Sequence, residues 1–260
     1  MSGFDTVKEN RWIIKHQAKK ADDFYGLESN KEIIWGLKQR HSYKGILLIG
    51  NSGSGKTSLG CYLLKNMRCH GNLSEPCGVC NSCREFQDFF TPPSVVFDGA
   101  WINNDERIRY VLDRASRPDF DLFIDNIDLS DRSLRIMLPG YMDHYRGGRL
   151  LLAACDLNLI PKPLQQRCLM IYLSYNQSSM IQFAKKICQK ESIRIADEEA
   201  FGELVRLTNN NPRCLINVLE IIGLKGGIIN RDICYDHDVL VNCISAGDNL
   251  KKQSKRRRRK

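Results

Sequence analysis

The sequence has no long apolar segment. No uninterrupted apolar run exceeds six residues, the length of Leu150–Cys155, whereas a membrane-spanning helix needs roughly 18. The first residues, MSGFDTVKENRW, also lack the apolar stretch of a secretory signal. These absences predict a protein with no membrane partner, located in the cytoplasm.

Acidic residues are missing from the last ten positions, KKQSKRRRRK, which hold eight of the 39 basic residues. The other 250 residues therefore carry 31 basic and 30 acidic side chains, a net charge of +1 against +9 for the whole chain. We predict a disordered basic tail over 246–260, because so dense a charge cannot fold alone. It serves either as a solubility or localisation segment, nuclear localisation included, or as an arm for nucleic-acid phosphates.

No export signal accompanies the eleven cysteines, so a reducing compartment and metal ligands or free thiols are expected rather than disulfides. Four of them, Cys69, Cys77, Cys80 and Cys83, have the spacing C-x7-C-x2-C-x2-C. This pattern predicts a closed, structural zinc site in an insert over 69–83. Four reduced thiols and an iron–sulfur cluster are the alternatives. We interpret the remaining seven as small core residues: Cys61, Cys155, Cys168, Cys188, Cys214, Cys234 and Cys243.

Short apolar runs alternate with helical patterns through the first two thirds of the chain. The runs are Ile46–Ile49, Val95–Phe97, Leu122–Ile124, Leu150–Ala153 and Met170–Leu173. Helical patterns between them cover 56–67, 105–115 and 131–145, and Pro139-Gly140 should end or kink the third. Continuous apolar strands alternating with helices predict an α/β domain over 1–175, with a parallel sheet covered on both faces.

Strand signals stop near residue 175. Helical patterns follow at 178–190, 198–207 and 213–223, with a weaker one at 231–244. Asp197 and Asn211 are good starts for two of these helices. The change of pattern predicts a small helical domain over 176–245.

Residues 50–57, GNSGSGKT, match the phosphate-binding P-loop pattern between a strand and a helix. Backbone amides of the loop would bind phosphate, Lys56 would reach the β- and γ-phosphates, and Thr57 would ligate Mg²⁺. Asp125, directly after an apolar run, is the expected second magnesium ligand. The predicted ATP–Mg²⁺ site therefore consists of Gly50, Asn51, Ser52, Gly53, Ser54, Gly55, Lys56, Thr57, Ser58 and Asp125.

Asn126 occupies the position where most P-loop ATPases of this kind have glutamate. An amide can orient the attacking water but cannot accept its proton. ATP binding followed by slow hydrolysis is therefore expected. Asp128 is the one nearby carboxylate, and we expect it to lie too far past the strand end to substitute.

Several segments together resemble the clamp-loader AAA+ ATPases, over about residues 10 to 225. They are Gly50–Ser58, Pro76–Glu85, Phe123–Asp131, Ile160–Leu169 and Glu191–Glu220. The chain is most similar in these to bacterial DNA polymerase III gamma/tau and delta-prime subunits and to the small clamp-loader subunit of T-even-type phages. The resemblance implies a bacterial or phage-infected cell and a five-membered hetero-oligomer. Such an assembly binds ATP between subunits and loads a sliding clamp on primer–template DNA.

The resemblance also assigns roles to two arginines. Arg167 would be the finger that reaches a neighbour's ATP, and Arg213 the sensor arginine of the helical domain. Phe24-Tyr25-Gly26 would lie near the adenine.

Four features depart from the family pattern. Asn126 replaces the catalytic glutamate, Cys155 stands at the first sensor position, Gln166 precedes the finger arginine, and about 35 residues after Lys225 are too few for a collar domain. Two alternatives to an active clamp-loader subunit follow. One is a delta-prime-like stator that binds ATP but barely hydrolyses it, and the other is a different AAA+ loader, for a helicase or for transposition.

Overall fold

The computed structural model describes residues 11–25, 45–71, 75–85, 96–116, 121–144 and 149–243. The chain divides into two compact units. Among the described residues, one unit comprises those within 19–51 and 56–173, and the other comprises those within 11–18, 52–55 and 174–243. Gly26 and the predicted basic tail lie outside the described residues. Within the described ranges, no helix is long and apolar enough to cross a bilayer.

The strands, in chain order, are β1 (Gly45–Ile49), β2 (Val96–Asp98), β3 (Leu122–Asp125), β4 (Leu150–Ala154), β5 (Cys168–Tyr172), β6 (Arg194–Ile195) and β7 (Ile228–Ile229). The α-helices are α1 (Trp12–Lys15), α2 (Lys56–Arg68), α3 (Asn81–Glu85), α4 (Asp105–Ala115), α5 (Arg132–His144), α6 (Lys162–Gln165), α7 (Gln177–Lys190), α8 (Glu198–Leu207), α9 (Pro212–Leu224) and α10 (Arg231–Cys234). Short 3-10 turns occupy Ala21–Asp23, Gly99–Trp101, Ile127–Leu129 and Leu157–Leu159. A last helical segment covers 237–243.

The first unit is built on a five-stranded parallel sheet of order β2-β3-β4-β1-β5. All five residues of β1 and of β4 are buried, which is why both read as uninterrupted apolar runs. The predicted parallel α/β fold is therefore confirmed. Since all strands run the same way, the loops after β1, β3 and β4 meet at the carboxyl edge of the sheet.

Helix α2 packs closely on the sheet. A Cβ atom at Gly60 would collide with the ring of Phe123, so glycine is what allows α2 to approach β3. Leu59 and Leu63 of the same helix are buried. This packing fixes the start of α2, which carries Lys56 and Thr57.

Helix α5 continues through Pro139 to His144, so of the two expected outcomes, an end or a kink at Pro139-Gly140, the end is wrong. Proline removes one backbone hydrogen bond from a helix. Leu134, Leu138 and Met142 are spaced four residues apart and are all buried in the core of the first unit. Their burial outweighs the missing bond and keeps the segment helical.

The second unit has its own core, formed by α7, α8 and α9. Side chains of Asn176, Asp197 and Asn211 cap these helices, as predicted for the last two. The parallel pair β6–β7 was not predicted, because two-residue strands leave no periodic signal. Trp12 of α1 packs against Gly223, where a Cβ atom would meet the indole ring at 2.9 Å.

Candidate functional site

The P-loop begins at Gly50, whose amide donates to the carbonyl of Ala154 at 3.3 Å. Gly53 and Gly55 have φ angles of +82° and +88°, a conformation that side chains other than glycine rarely adopt. These glycines turn the chain into the start of α2. The sequence pattern at 50–57 therefore corresponds to a loop with the backbone conformation of a phosphate-binding cradle.

Lys56, the first residue of α2, is buried and only 5% exposed. Its ammonium group donates to the carbonyl oxygens of Gly50 at 2.8 Å and Asn51 at 2.9 Å. A third contact reaches Cys155 Sγ at 3.2 Å. All three protons of the ammonium group thus have an acceptor, which a buried cation requires.

Thr57 and Asp125 come together at the carboxyl edge of the sheet. The Thr57 hydroxyl donates to Asp125 Oδ2 at 2.6 Å. Burial raises the pKa of the Asp125 carboxyl, while the hydrogen bonds from Thr57 and the Asn126 amide act in the opposite direction. Two hard oxygen donors this close fit the needs of a magnesium ion shared with a phosphate, and such a cation would favour the ionised carboxylate.

Asn126 stands next to Asp125 in a left-handed conformation, with φ 51°. Its side-chain amide donates to Asp98 Oδ1 at 3.4 Å. The turn is tight, since a Cβ atom at Gly99 would collide with the Asn126 carbonyl oxygen. Asn126 therefore places an amide group at this end of β3. An amide is a much weaker base than a carboxylate.

Asp128 supports the segment that follows β4. It is 6% exposed, and its Oδ2 accepts hydrogen bonds from the amides of Cys155 at 3.3 Å and Asp156 at 3.1 Å. Because Cys155 contacts Lys56, Asp128 indirectly sets the position of the lysine's sulfur acceptor. The carboxylate is thus used for structure. The interpretation of Cys155 as an ordinary core residue is wrong, because it is only half-buried and contacts the P-loop lysine.

The tip of the P-loop, Ser52–Gly55, packs within the second unit. Tyr175 Oη donates to the Ser54 carbonyl at 2.6 Å, and Asn211 Nδ2 donates to the Ser52 carbonyl at 2.7 Å. Arg213 is exposed at the start of α9, and a Cβ atom at Gly53 would lie 2.9 Å from its Cβ. The Cβ atom of Arg213, the predicted sensor arginine, therefore lies close to the tip of the P-loop.

Arg167 is placed elsewhere in the first unit. It directly precedes Cys168, which pairs with Gly45 at the amino end of β1, whereas the P-loop follows the carboxyl end of β1. A strand of five residues separates them, roughly 16 Å at ~3.3 Å per residue. Arg167 therefore cannot reach a phosphate held by its own P-loop.

Cys69, Cys77, Cys80 and Cys83 form a compact cluster. Their sulfur atoms all lie within 4.8 Å of one another, and those of Cys77 and Cys83 are 3.9 Å apart. Four sulfurs bound at about 2.3 Å to one zinc ion would lie ~3.8 Å apart. Gly78, with φ +74°, turns the chain between the ligands. The cluster thus has the donors and the spacing to hold a zinc ion.

Backbone amides point at these sulfurs. The amides of Gly71 and Cys77 donate to Cys69 Sγ, at 3.3 and 3.2 Å. Hydrogen bonds of this kind lower the pKa of Cys77 and Cys80, and backbone and thiol hydrogen bonds together lower that of Cys69 against its burial. Burial instead raises the pKa of Cys83 to about 12. Amides that favour thiolates prepare the cluster for a cation.

Glu75 attaches the insert to the rest of the first unit. Its carboxylate accepts from the Tyr62 hydroxyl at 3.1 Å and from the Ala21 amide at 3.0 Å. Neither this anchor nor the roles of Asp128, Tyr175 and the Asn211 amide could be deduced from the sequence. Each depends on a contact between segments far apart in the chain, and only the cap at Asn211 had a local signal.

The architecture is shared with solved structures of RuvB from Thermotoga maritima. A point variant of that protein matches with a TM-score of 0.63 at 18% identity, covering 85% of this chain and 71% of that one. A structure described as the Holliday junction branch migration motor matches with a TM-score of 0.59 at 19% identity, with the same coverage. Together with the sheet order and the P-loop, this likeness defines the AAA+ P-loop ATPase fold. At such low identity it shows the fold alone.

Proteins similar in sequence indicate the family more closely than the shared fold does. DNA polymerase III subunit gamma of Buchnera aphidicola is 29% identical over 204 residues, 75% of this chain and 56% of that protein. Subunit tau of Escherichia coli is 30% identical over 145 residues, 53% of this chain and 23% of that protein. The replication factor C small subunit of Archaeoglobus fulgidus is 21% identical over 237 residues, 86% of this chain and 67% of that protein. No protein-family model matches the chain.

The chain is therefore similar in sequence to the gamma/tau subunits of DNA polymerase III and to replication factor C small subunits. The predicted resemblance is confirmed. The chain spans about half the length of the Buchnera gamma relatives, 56% and 50%.

Proposed function

We propose that this chain is a replication subunit that binds ATP–Mg²⁺ in its P-loop and helps to load a sliding clamp on primer–template DNA. The observation that carries the proposal is the joint placement of Lys56, Thr57 and Asp125 in a chain related to gamma subunits. The lysine would neutralise phosphate charge, and the hydroxyl and carboxylate would hold the cation. Residues 1–175 would form the nucleotide-binding domain and 176–245 the helical lid.

Hydrolysis by this subunit is proposed to be slow. Asn126 offers an amide where related ATPases place a general base, and its side chain is already directed at Asp98. Asp128 does not replace it, because that carboxylate binds the amides of Cys155 and Asp156. Loss of a positioned base typically costs ~10²–10⁴ in rate while substrate binding is retained.

The proposed partners are other clamp-loader subunits, the sliding clamp and DNA. Arg167 is consistent with the first of these, because it lies at the opposite end of β1 from its own P-loop, so an arginine-finger role would have to be on another subunit's nucleotide. Arg213 would act on the nucleotide bound by its own chain. A hetero-oligomer resembling a pentamer would follow, with the basic tail as a further contact for DNA phosphates.

ATP binding can be tested by calorimetric titration of the full chain with ATP and Mg²⁺. Wild-type protein should bind, and Lys56→Ala should lose nearly all affinity. Lys65→Ala is the matched control, since Lys65 lies on the same helix outside the loop. Equal affinity in Lys56→Ala and wild-type protein would contradict the proposal.

Assembly can be tested by purifying the chain with proteins encoded by its genome neighbours and recording native mass spectra with and without ATP. A clamp-loader subunit should appear in a defined hetero-oligomer. A chain that remains monomeric under both conditions would contradict the proposed partners without affecting the nucleotide site.

A further inference from the structure

We infer that Tyr175 and Asn211 are positioning residues that hold the P-loop in its phosphate-binding conformation before nucleotide arrives. The inference rests on the proposed function, because it concerns the same ATP site. Neither residue belongs to the P-loop motif, and neither carries a charge that phosphate would attract. They act through the carbonyl groups of the loop tip.

The two side chains bind alternate peptide groups of the loop. Asn211 Nδ2 donates to the carbonyl of Ser52 at 2.7 Å, and Tyr175 Oη donates to that of Ser54 at 2.6 Å. The peptide group between them, that of Gly53, is not restrained in this way by either side chain.

Fixing these carbonyls also fixes two amides. A trans peptide is planar, and its C=O and N–H bonds point in opposite directions. The described residues contain no cis peptide bond. The amides of Gly53 and Gly55 must therefore point away from Asn211 and Tyr175 respectively. Amides that face the concave side of such a loop bind phosphate.

The donor group of Asn211 is itself oriented by the start of α9. Asn211 Oδ1 accepts from the amides of Arg213 at 3.1 Å and Cys214 at 3.2 Å. Because the oxygen is occupied by this helix cap, the amide nitrogen has to point the other way, to Ser52. Asn209 and Asn210 precede it with φ angles of 51° and 54°, in a left-handed turn that asparagine tolerates.

Tyr175 reaches the loop from the start of the helical segment of the second unit. Burial raises the pKa of its hydroxyl to about 12, so the group stays a donor at every working pH. A Cβ atom at Gly55 would lie 3.4 Å from this hydroxyl. The hydroxyl group thus lies directly against the loop.

The test uses two substitutions that each remove one donor and little else. Tyr175→Phe deletes the hydroxyl, and Asn211→Ser keeps a helix-capping oxygen but loses the amide donor. Tyr172→Phe and Asn176→Ser are the matched controls: Tyr172 is exposed on β5, and Asn176 caps α7. Affinity for ATP–Mg²⁺ is measured by calorimetry. The backbone amide resonances of Gly53 and Gly55 are recorded by NMR in nucleotide-free protein.

We expect Tyr175→Phe and Asn211→Ser each to weaken ATP binding roughly 3- to 10-fold, the effect of losing one hydrogen bond. Tyr175→Phe should shift the Gly55 resonance and Asn211→Ser the Gly53 resonance, while both controls leave affinity and resonances unchanged. Wild-type affinity in both variants would overturn the inference and leave the proposed function intact. Shifted resonances in a protein that does not bind ATP would overturn the proposed function and support the positioning of the loop.

Discussion

The guanidinium group of Arg167 is held by the carboxylate of Asp143 through two parallel hydrogen bonds. Nε donates to Oδ1 at 2.8 Å and Nη2 to Oδ2 at 2.5 Å, while Nη1 donates to the Pro163 carbonyl at 2.9 Å. This pairing raises the pKa of Arg167 further, so the group is always charged. The guanidinium group is thus held in a fixed orientation by Asp143 and Pro163, and a phosphate could bind it only by displacing one of these acceptors.

Arg167→Ala is expected to leave ATP binding by the isolated chain unchanged, because the residue lies a strand's length from its own P-loop. In the assembled complex the same substitution should lower hydrolysis at the neighbouring subunit's site by about 10³, the usual lower value for a lost arginine finger, and leave the other sites unchanged. Steady-state ATPase assays of the isolated chain and of the complex check this. Arg167→Lys should be nearly as harmful, since it keeps the charge without the fork.

Zinc is expected at one ion per chain in protein made without chelator. The cluster supplies four sulfurs at the right spacing, and amides already stabilise three of the thiolates. Elemental analysis should find zinc in wild-type protein and none after Cys77→Ser with Cys80→Ser. Removing the metal should lower the melting temperature while nucleotide affinity changes little, because a closed four-sulfur site is structural. Iron together with acid-labile sulfide in place of zinc would show that the cluster is an iron–sulfur centre instead.

Asn126→Glu is expected to raise ATP turnover in the assembled complex, since it supplies the missing proton acceptor beside Asp125. The rate of hydrolysis should rise by up to about 10⁴-fold, and ATP affinity should stay close to that of wild type. Single-turnover assays in complexes with each subunit's P-loop disabled in turn isolate this site. Fast hydrolysis by wild-type protein at this site would contradict the slow-hydrolysis hypothesis and indicate another base.

Asp128→Leu is expected to destabilise the first unit by about 1–3 kcal/mol, because the amides of Cys155 and Asp156 lose their acceptor. Asp128→Asn should cost less, since its amide oxygen can still accept both bonds. Urea unfolding of the two variants and the wild type gives the comparison. Equal losses of stability for Asn and Leu would show that the charge of Asp128, rather than its hydrogen bonds, is what matters.

Truncation after Leu250 is expected to weaken non-specific DNA binding, because it removes eight of the nine net positive charges. If the tail contacts ~4 phosphates, the slope of log K against log salt should flatten by roughly 3–4. Fluorescence anisotropy at several salt concentrations measures the slope. An unchanged slope would favour the alternative role as a localisation or solubility segment.

The elements that could be predicted are those with a local signal. Buried strands such as Leu150–Ala154 read as apolar runs, and helix starts such as Asp197 have capping residues. The P-loop and the four-cysteine pattern are equally local, because neighbouring residues supply the whole motif. The effect of Pro139 was predicted incorrectly where an end of the helix was expected. The hydrogen bond lost at proline can be predicted from the local sequence, whereas the compensating burial of Leu134 and Leu138 depends on the folded core.

What could not be predicted are the contacts that support these motifs. From the sequence Asp128 is only a nearby carboxylate, expected to lie too far past the strand end to act as a base, and nothing indicates that it binds the amides that follow β4. The pairing of Arg167 with Asp143 joins residues on different elements and needs the folded sheet. The chemistry of the site can therefore be predicted from motifs, whereas the way each motif is held in place depends on the folded chain.

The three hydrogen bonds of Lys56 have a consequence for the energetics of the empty loop. The ammonium group already has the acceptors of Gly50, Asn51 and Cys155, so a phosphate can only be bound by exchange. The free energy gained on binding is then the difference between the hydrogen bond to a phosphate oxygen and the hydrogen bond to the displaced acceptor. It is smaller than the full strength of a new hydrogen bond. Sulfur is the weakest acceptor of the three. We therefore expect a bound phosphate to displace the contact with Cys155 first. Until then, each proton of the Lys56 ammonium group has an acceptor.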